Sequence, residues 1–299
     1  MSFSSDVKNE LCRDTLQRLC CARAEAYGVL LYCHTFTSRE VRIITESPVF
    51  STRLPKLFQR AFGLRFDRLP EEDVGRGKYI YQITDADKLS TIINLFGYDP
   101  QQNPVLHINF GMLEEDCCRA AFLRGAFLAG GSVTDPFKRY HLELATSHLQ
   151  VSREMAALLW DMGYEPKTVV RSGYQVTYFK NSQQIEELLT RMGAGISAME
   201  IMNAKAEKDL RNGVNRRVNC EAANVDKAVE AAQEQLEAIR RLYDLGRVEK
   251  LPEKLKETIV LRETFPELSL SELAAEFDPP ISKSALNHRL RKLIALSKE

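Results

Sequence analysis

The chain has 299 residues, of which 44% are hydrophobic, and its 41 basic and 41 acidic side chains give a formal net charge of zero. This length and hydrophobic content predict a core large enough for two or more domains, and no run reaches the apolar length of a transmembrane helix. Seven cysteines, an odd number, fit reduced thiols better than a disulfide framework. Because residues 1–10 also lack the basic and apolar regions of a signal peptide, we expect a cytoplasmic protein with no membrane partner.

Two stretches about one hundred residues apart predict a pair of closely packed helices. Residues 123–131 read Leu-Arg-Gly-Ala-Phe-Leu-Ala-Gly-Gly, and residues 26–34 are a loose copy. Small side chains at Ala121, Gly125 and Ala129 leave one helix face nearly bare, so that a second helix can approach it closely.

The similarity continues beyond these helices and predicts two α/β repeats, residues 1–97 and 98–195. Each copy has the order helix, strand pair, helix, strand pair, helix. In the first copy we predict a helix at 20–33, strands in 35–46, a helix at 48–63, strands in 64–84 and a closing helix that ends at 92–97. In the second copy we predict a helix at 115–130, strands in 139–146, a helix at 148–163, strands in 164–180 and a closing helix that ends at 188–193.

Residues 1–195 resemble the LAGLIDADG homing endonuclease fold, in which two repeats pack their motif helices on a pseudo-two-fold axis and lay their sheets on DNA. The resemblance implies an α+β fold with antiparallel sheets. In active members the eighth motif position is an acid that helps to hold divalent metal at the scissile phosphates. Here those positions are Cys33 and Gly130. Glycine has no ligand atom and one cysteine suits Mg²⁺ poorly, so we predict no catalytic residue, metal or cofactor.

Two other candidate metal sites are weaker. Asp135 and Glu143 could replace the missing acids, but an acid in a turn or on a strand is usually a solvated surface group. A zinc site among the N-terminal thiols lacks the Cys-x-x-Cys pairs that build tetrahedral sites, and we interpret the thiols as core residues. The residues of this zinc candidate are Cys12, Cys20, Cys21, Cys33 and His34. The spacing of Cys117, Cys118 and Cys220 gives no pairing signal either.

Residues 196–250 are predicted to form a helical linker with an alanine-rich helix. Ala232 and Ile239 belong to its apolar positions. Glycine and asparagine permit changes of backbone direction, which predicts hinges at 213–219 and 244–247.

Residues 251–299 are predicted to form an all-α helix-turn-helix domain of three helices. The first begins near Pro252, and the second begins with capping-box spacing at Ser269. The third begins after the N-cap Ser282 and buries a stripe at i, i+4, i+7 and i+8, formed by Leu286, Leu290, Leu293 and Ile294.

The third helix is predicted to enter the major groove of double-stranded DNA. Residues 279–298 contain five basic residues and no acid, although a packing unit with an ordinary charged exterior is the alternative. Asn287 and Arg291 are the predicted base contacts, whereas Lys283, Arg289 and Lys292 are predicted phosphate contacts. The complete candidate set is Ser269, Ser271, Ser282, Lys283, Ser284, Asn287, His288, Arg289, Arg291 and Lys292.

Three separated segments, 4–11, 215–227 and 281–293, are similar to the WhiA family of bacterial sporulation and cell-division regulators. The resemblance implies a DNA-binding transcription factor, not an enzyme, that is nucleoid-associated and linked to sporulation, cell division or chromosome segregation. The alternatives are a low-specificity nucleoid or divisome scaffold and a residual metal-dependent nuclease. The sheets could still hold DNA or could dock a second regulator. The basic residues predicted for such DNA contacts are Arg39, Arg42, Lys138, Arg139, Lys167 and Arg171.

Overall fold

The computed structural model describes residues 2–70, 77–98 and 105–298. The chain divides into two compact units, Met1–Lys208 (unit 1) and Asp209–Glu299 (unit 2). Within the described ranges no helix is both long and apolar enough to cross a membrane.

Unit 1 contains the two predicted repeats. The first consists of α1 (Phe3–Leu11), α2 (Leu19–Tyr32), β1 (Thr35–Phe36), β2 (Val41–Thr45), α3 (Pro48–Phe62), β3 (Tyr79–Ile83) and α4 (Ala86–Leu95). The second consists of α5 (Asp116–Gly130), β4 (Gly131–Val133), β5 (Leu142–Thr146), α6 (Leu149–Asp161), β6 (Lys167–Arg171), β7 (Tyr174–Phe179) and α7 (Ser182–Met192). A 3-10 turn, Phe110–Met112, precedes α5.

The two sheets have matching antiparallel topologies. Their strand orders are β1-β2-β3 and β4-β5-β7-β6. An isolated bridge between Arg68 and Gln82 of β3 takes the place that β6 has beside β7 in the second sheet. The α+β fold with antiparallel sheets is therefore confirmed. The predicted strand region 64–84 and the predicted repeat 98–195 include residues 71–76 and 99–104, which lie outside the described residues.

The motif helices α2 and α5 pack backbone to backbone. A Cβ atom added at Gly28 would lie 2.1 Å from the carbonyl oxygen of Phe122, and one added at Gly125 would lie 2.0 Å from that of Glu25. Both distances are far below any real carbon–oxygen contact, so only glycine permits this approach. The helices run in the same direction, since Gly28 meets the Phe122 turn and Tyr32 lies beside Gly130.

Alternating burial on the strands places both sheets on the same core as the helix pair. On β2, for example, Val41, Ile43 and Thr45 are buried while the two residues between them are partly exposed. Such period-two alternation is what a sheet with one covered face requires.

Unit 2 contains the three helices predicted for residues 251–299 and packs them against the C-terminal part of a preceding long helix. Its elements are the C-terminal part of α8 (Gly195–Asp244), a 3-10 turn at Val248–Lys250, α9 (Glu253–Thr264), α10 (Leu270–Ala275) and α11 (Lys283–Leu296). Ile239 and Leu242 of α8 are buried in the same core as Ile259, Leu273 and Leu290. The predicted hinge at 213–219 is wrong, because α8 is helical throughout that range.

We expect Gly125→Ala to destabilise unit 1 by about 3 kcal/mol, because the added methyl group collides with rigid backbone atoms of α2. Urea unfolding followed by the single tryptophan, Trp160 on α6, measures this unit alone. Gly195→Ala is the matched control, since a Cβ there meets nothing within 4 Å. Equal stabilities of the two variants would contradict the close approach.

Candidate nucleic-acid interface

Local sequence determines where α11 begins and which face it buries. The Ser282 hydroxyl accepts a hydrogen bond of 3.2 Å from the backbone N–H of Ala285, as the N-cap prediction requires. Leu286, Leu290 and Leu293 are buried, which confirms the predicted stripe, and Ile294 is partly buried. The packing of this stripe leaves the opposite face of α11 to solvent.

The solvent face of α11 carries most of the predicted DNA-binding side chains. Asn287 is half-buried and Arg291, one turn later, is exposed. Five further candidates are exposed on the same helix or at its cap: Ser282, Lys283, Ser284, His288 and Lys292. Amide and guanidinium groups that project from one helix face suit bidentate contacts with adenine and guanine edges.

Arg289 is held inside unit 2. Its guanidinium lies 5.2 Å from the centre of the Phe277 ring and donates to the Lys254 carbonyl oxygen at 3.4 Å. It also lies 3.5 Å from the Glu257 carboxylate, and only 19% of its side chain is exposed. The structure therefore gives Arg289 a packing role between α11, α9 and Phe277, two residues after α10, where sequence reasoning placed a phosphate contact.

The N-terminus of α10 has the predicted capping box. The Ser269 hydroxyl accepts from the N–H of Glu272 at 3.4 Å, and the Glu272 carboxylate accepts from the N–H of Ser269 at 2.9 Å. Hydrogen bonds to the Glu272 carboxylate from the side chain and the backbone N–H of Ser269 lower the pKa of Glu272. Ser269 and Ser271 are both exposed, but the negative carboxylate beside Ser269 weakens that serine as a phosphate contact.

In unit 1 both degenerate motif positions lie against backbone carbonyl oxygens. The Cys33 thiol donates to the carbonyl oxygens of Leu30 and Thr35, both at 3.1 Å, and burial raises its pKa to about 12. A Cβ added at Gly130 would lie 2.4 Å from the carbonyl oxygen of Ala145. A side chain at Gly130 would therefore collide with the backbone, and Cys33 is bonded to backbone carbonyl groups.

A lysine occupies the space near the C-terminal end of α5. Lys8 Nζ donates to the Leu128 carbonyl oxygen at 3.2 Å and lies 5.9 Å from the centre of the Phe127 ring. An ammonium group there complements the negative end of the helix dipole. Burial lowers the pKa of Lys8 to about 8, although the Glu46 carboxylate opposes this shift. Sequence reasoning missed Lys8, which in sequence is an ordinary charged residue of α1.

The two candidate replacement acids are used for structure. Asp135 accepts from the N–H of Phe137 at 2.9 Å in a turn. Both carboxylate oxygens of Glu143 accept from Arg171 at 2.9 Å, and His141 lies 3.1 Å away. Partial burial favours protonated Glu143, but the bonds from His141 and Arg171 outweigh it and lower its pKa.

This ion pair also changes the predicted basic surface of unit 1. Arg171, which was a candidate phosphate contact, is neutralised by Glu143 on the sheet. Arg42 is partly buried on β2, and the remaining candidates, Arg39, Lys138, Arg139 and Lys167, are exposed.

A buried charge network joins the two repeats, and sequence reasoning missed it. Glu25 is fully buried on α2, and its carboxylate accepts from Arg53 of α3 at 2.6 and 2.9 Å and from Arg124 of α5 at 2.9 Å. Arg124 also pairs with Asp14 and donates to the Met192 carbonyl oxygen at 3.1 Å. The sequence signal for this network was a charged residue, Glu25 or Arg124, within the apolar part of each motif helix.

Comparison with known proteins identifies a LAGLIDADG-like domain and a helix-turn-helix domain. Residues 119–211 match the WhiA LAGLIDADG-like domain, and residues 214–297 match the WhiA C-terminal HTH domain. The "probable cell division protein WhiA" of Ruminiclostridium cellulolyticum is 37% identical over 98% of this chain and 96% of that protein. Its counterpart in Alkaliphilus metalliredigens is 34% identical over the same shares. The chain therefore belongs to the WhiA family.

Solved structures agree on the fold. The crystal structure of full-length DUF199/WhiA from Thermatoga maritima matches with a TM-score of 0.61 and 23% identity, covering 100% of this chain and 98% of that one. The N-terminal LAGLIDADG domain of DUF199/WhiA matches with a TM-score of 0.51 and 21% identity, covering 64% and 90%.

The depressed pKa of Lys8 predicts that unit 1 becomes more stable as the pH rises from about 8 to about 10.5. In this window the unfolded chain still holds a proton that folded Lys8 has released, so the free energy of unfolding increases by up to about 1.4 kcal/mol per pH unit. Urea unfolding of the wild type and Lys8→Met, followed by Trp160 fluorescence, measures the difference. Lys56→Met, at an exposed lysine of α3, is the control. If the difference in unfolding free energy between the wild type and Lys8→Met stayed constant across this pH window, the lowered pKa of Lys8 would be contradicted.

Proposed function

We propose that this protein is a sequence-specific DNA-binding transcription regulator that acts in bacterial cell division and reads the major groove with α11. One observation carries the proposal: the solvent face of α11 presents amide, guanidinium and ammonium groups, and residues 279–298 contain no acid. Membership in the WhiA family and the names of its relatives support it. We extend the proposal to sporulation and chromosome segregation, and to a site of action on the nucleoid.

Within this interface we assign base reading to Asn287 and Arg291. They are one helical turn apart, so their side chains can reach neighbouring base pairs from one face. Lys283 and Lys292, together with Ser284 and His288, would hold the phosphates. Arg289 is omitted from the phosphate contacts because its charge already faces Phe277 and Glu257.

We propose that unit 1 does not cleave DNA. The closed packing at Gly130, the thiol in place of an acid at Cys33 and the structural use of Asp135 and Glu143 support this. Neutralisation of Arg171 also reduces the attraction of its sheet for phosphate. We therefore propose that unit 1 docks a second regulator and contributes little DNA affinity.

Replacing Asn287 and Arg291 by Ala should remove most discrimination between a preferred duplex, selected from a random library by the wild-type protein, and a scrambled duplex. Each bidentate base contact contributes about 1–3 kcal/mol of discrimination, so about 5- to 150-fold is lost per position. Fluorescence anisotropy at one fixed salt concentration measures it. Lys298→Ala, an exposed cation near the Glu234 carboxylate, is the control. Unchanged discrimination in the double variant would rule out α11 as the reading helix.

Replacing Lys283 and Lys292 by Ala should weaken binding to every duplex about equally. Each lost phosphate contact lowers the slope of log affinity against log salt by about 1. Equal affinity of the wild type for all duplexes would instead support the low-specificity scaffold.

Incubation of supercoiled plasmid with the protein and Mg²⁺ or Mn²⁺ should yield no nicked product above a no-protein control. The reason is that neither motif helix ends in a metal-binding carboxylate. Nicking that persists through purification and is lost in a Glu143→Gln variant would establish residual nuclease activity.

A further inference from the structure

Four cysteine thiols converge at the N-terminal ends of the two motif helices. Cys20 and Cys21 lie in the first turn of α2, and Cys117 and Cys118 lie in the first turn of α5. All four Sγ atoms lie within 4.8 Å of one another. We propose that they form a structural zinc site that joins the two repeats.

The sulfur spacing fits one tetrahedral ion. A Zn–S bond of about 2.3 Å in a tetrahedron places the sulfur atoms about 3.8 Å apart. The Sγ atoms of Cys20 and Cys21 are already separated by 3.9 Å. Because no two of the four Sγ atoms are more than 4.8 Å apart, the longest sulfur–sulfur distance must shorten by at most about 1 Å, which rotation of the side chains can supply.

The donor set selects the metal. Four thiolates are soft ligands, which favour Zn²⁺ over the hard cations Mg²⁺ and Ca²⁺. Four protein ligands also leave no open position for water or substrate, as in structural zinc sites. All seven cysteines are free thiols.

The surroundings suit the charge of such a site. A divalent cation held by four thiolates carries two net negative charges, and the positive ends of two helix dipoles point at it. The Arg18 side chain is hydrogen-bonded to Cys117, which places a positive charge beside the cluster. A cation must displace the thiol protons on binding.

A cation can reach the thiols from solvent. Cys20 is exposed. A cavity of about 290 Å³ opens beside the cluster and is lined in part by Arg18, Cys21 and Cys117.

The cluster follows the internal repeat. Cys20 corresponds to Cys117 and Cys21 to Cys118 with the same offset that relates Gly28 to Gly125. Each repeat therefore supplies one adjacent pair, and the parallel packing of α2 and α5 brings the pairs together. No Cys-x-x-Cys spacing is needed, because the fold provides the proximity that such spacing usually provides.

The test uses the full chain, purified under reducing conditions and dialysed after exposure to Zn²⁺. Elemental analysis should find about one zinc per chain in the wild type and less than about 0.1 in a Cys20→Ser/Cys117→Ser variant. Cys12→Ser/Cys220→Ser, which removes two thiols outside the cluster, should retain the metal. Co²⁺ in place of Zn²⁺ should give the visible absorption of tetrahedral thiolate coordination in the wild type and in this control.

A second measurement on the wild type does not depend on the folding of a variant. Bound Zn²⁺ should protect the four cluster thiols from alkylation while Cys220 reacts, and a chelator should expose them and lower the melting temperature of unit 1. Equal zinc content in the wild type and the cluster variant would overturn the proposal. An intact mass that is lower by two hydrogen atoms, with a disulfide between the repeats, would also overturn it.

Discussion

The contact between the backbones of α2 and α5 is the constraint on which unit 1 depends. Gly28 and Gly125 each face the main chain of the other helix, so neither repeat tolerates a side chain at the crossing. Glu25 lies in the same contact and joins Arg53 and Arg124 from different elements. Breaking a buried ion pair of this kind costs about 3–5 kcal/mol, so the crossing is defined by charge as well as by shape.

The same crossing positions the two chemically distinct ends of the helix pair. At the C-terminal ends, Cys33 and Gly130 are packed against backbone atoms, and Lys8 supplies the positive charge beside α5. At the N-terminal ends, about 20 Å away along helices that rise 1.5 Å per residue, the four thiols face one another. The end of the helix pair that contains Cys33 and Gly130 is thus packed against backbone, and the four thiols lie at the opposite end.

Features that depend on local sequence were predictable. The internal repeat with its small-residue spacing identified α2 and α5, the 3.6-residue periodicity identified α11, and the capping residues Ser269 and Ser282 located the starts of α10 and α11. Contacts between distant segments were not predictable in the same way. Cys21 and Cys118 are far apart in sequence, and only the helix crossing reveals their proximity. Likewise, helix periodicity placed Arg289 on a basic face, but the positions of Phe277 and Glu257 decide where its side chain lies.

The Glu25 network has a consequence for self-association. One copy of Glu25 is shared between guanidinium groups from both repeats, so the network is complete only when unlike repeats meet. A homodimer of the first repeat would bring two Glu25 carboxylates to the crossing without Arg124, and a homodimer of the second would bury two Arg124 side chains without a carboxylate. In the second arrangement the buried guanidinium groups are uncompensated, and in the first each Glu25 keeps only Arg53 as a partner, which discriminates against pairing of like with like. The fusion of the two repeats in one chain therefore supplies each with its unlike partner at a stoichiometry of one to one.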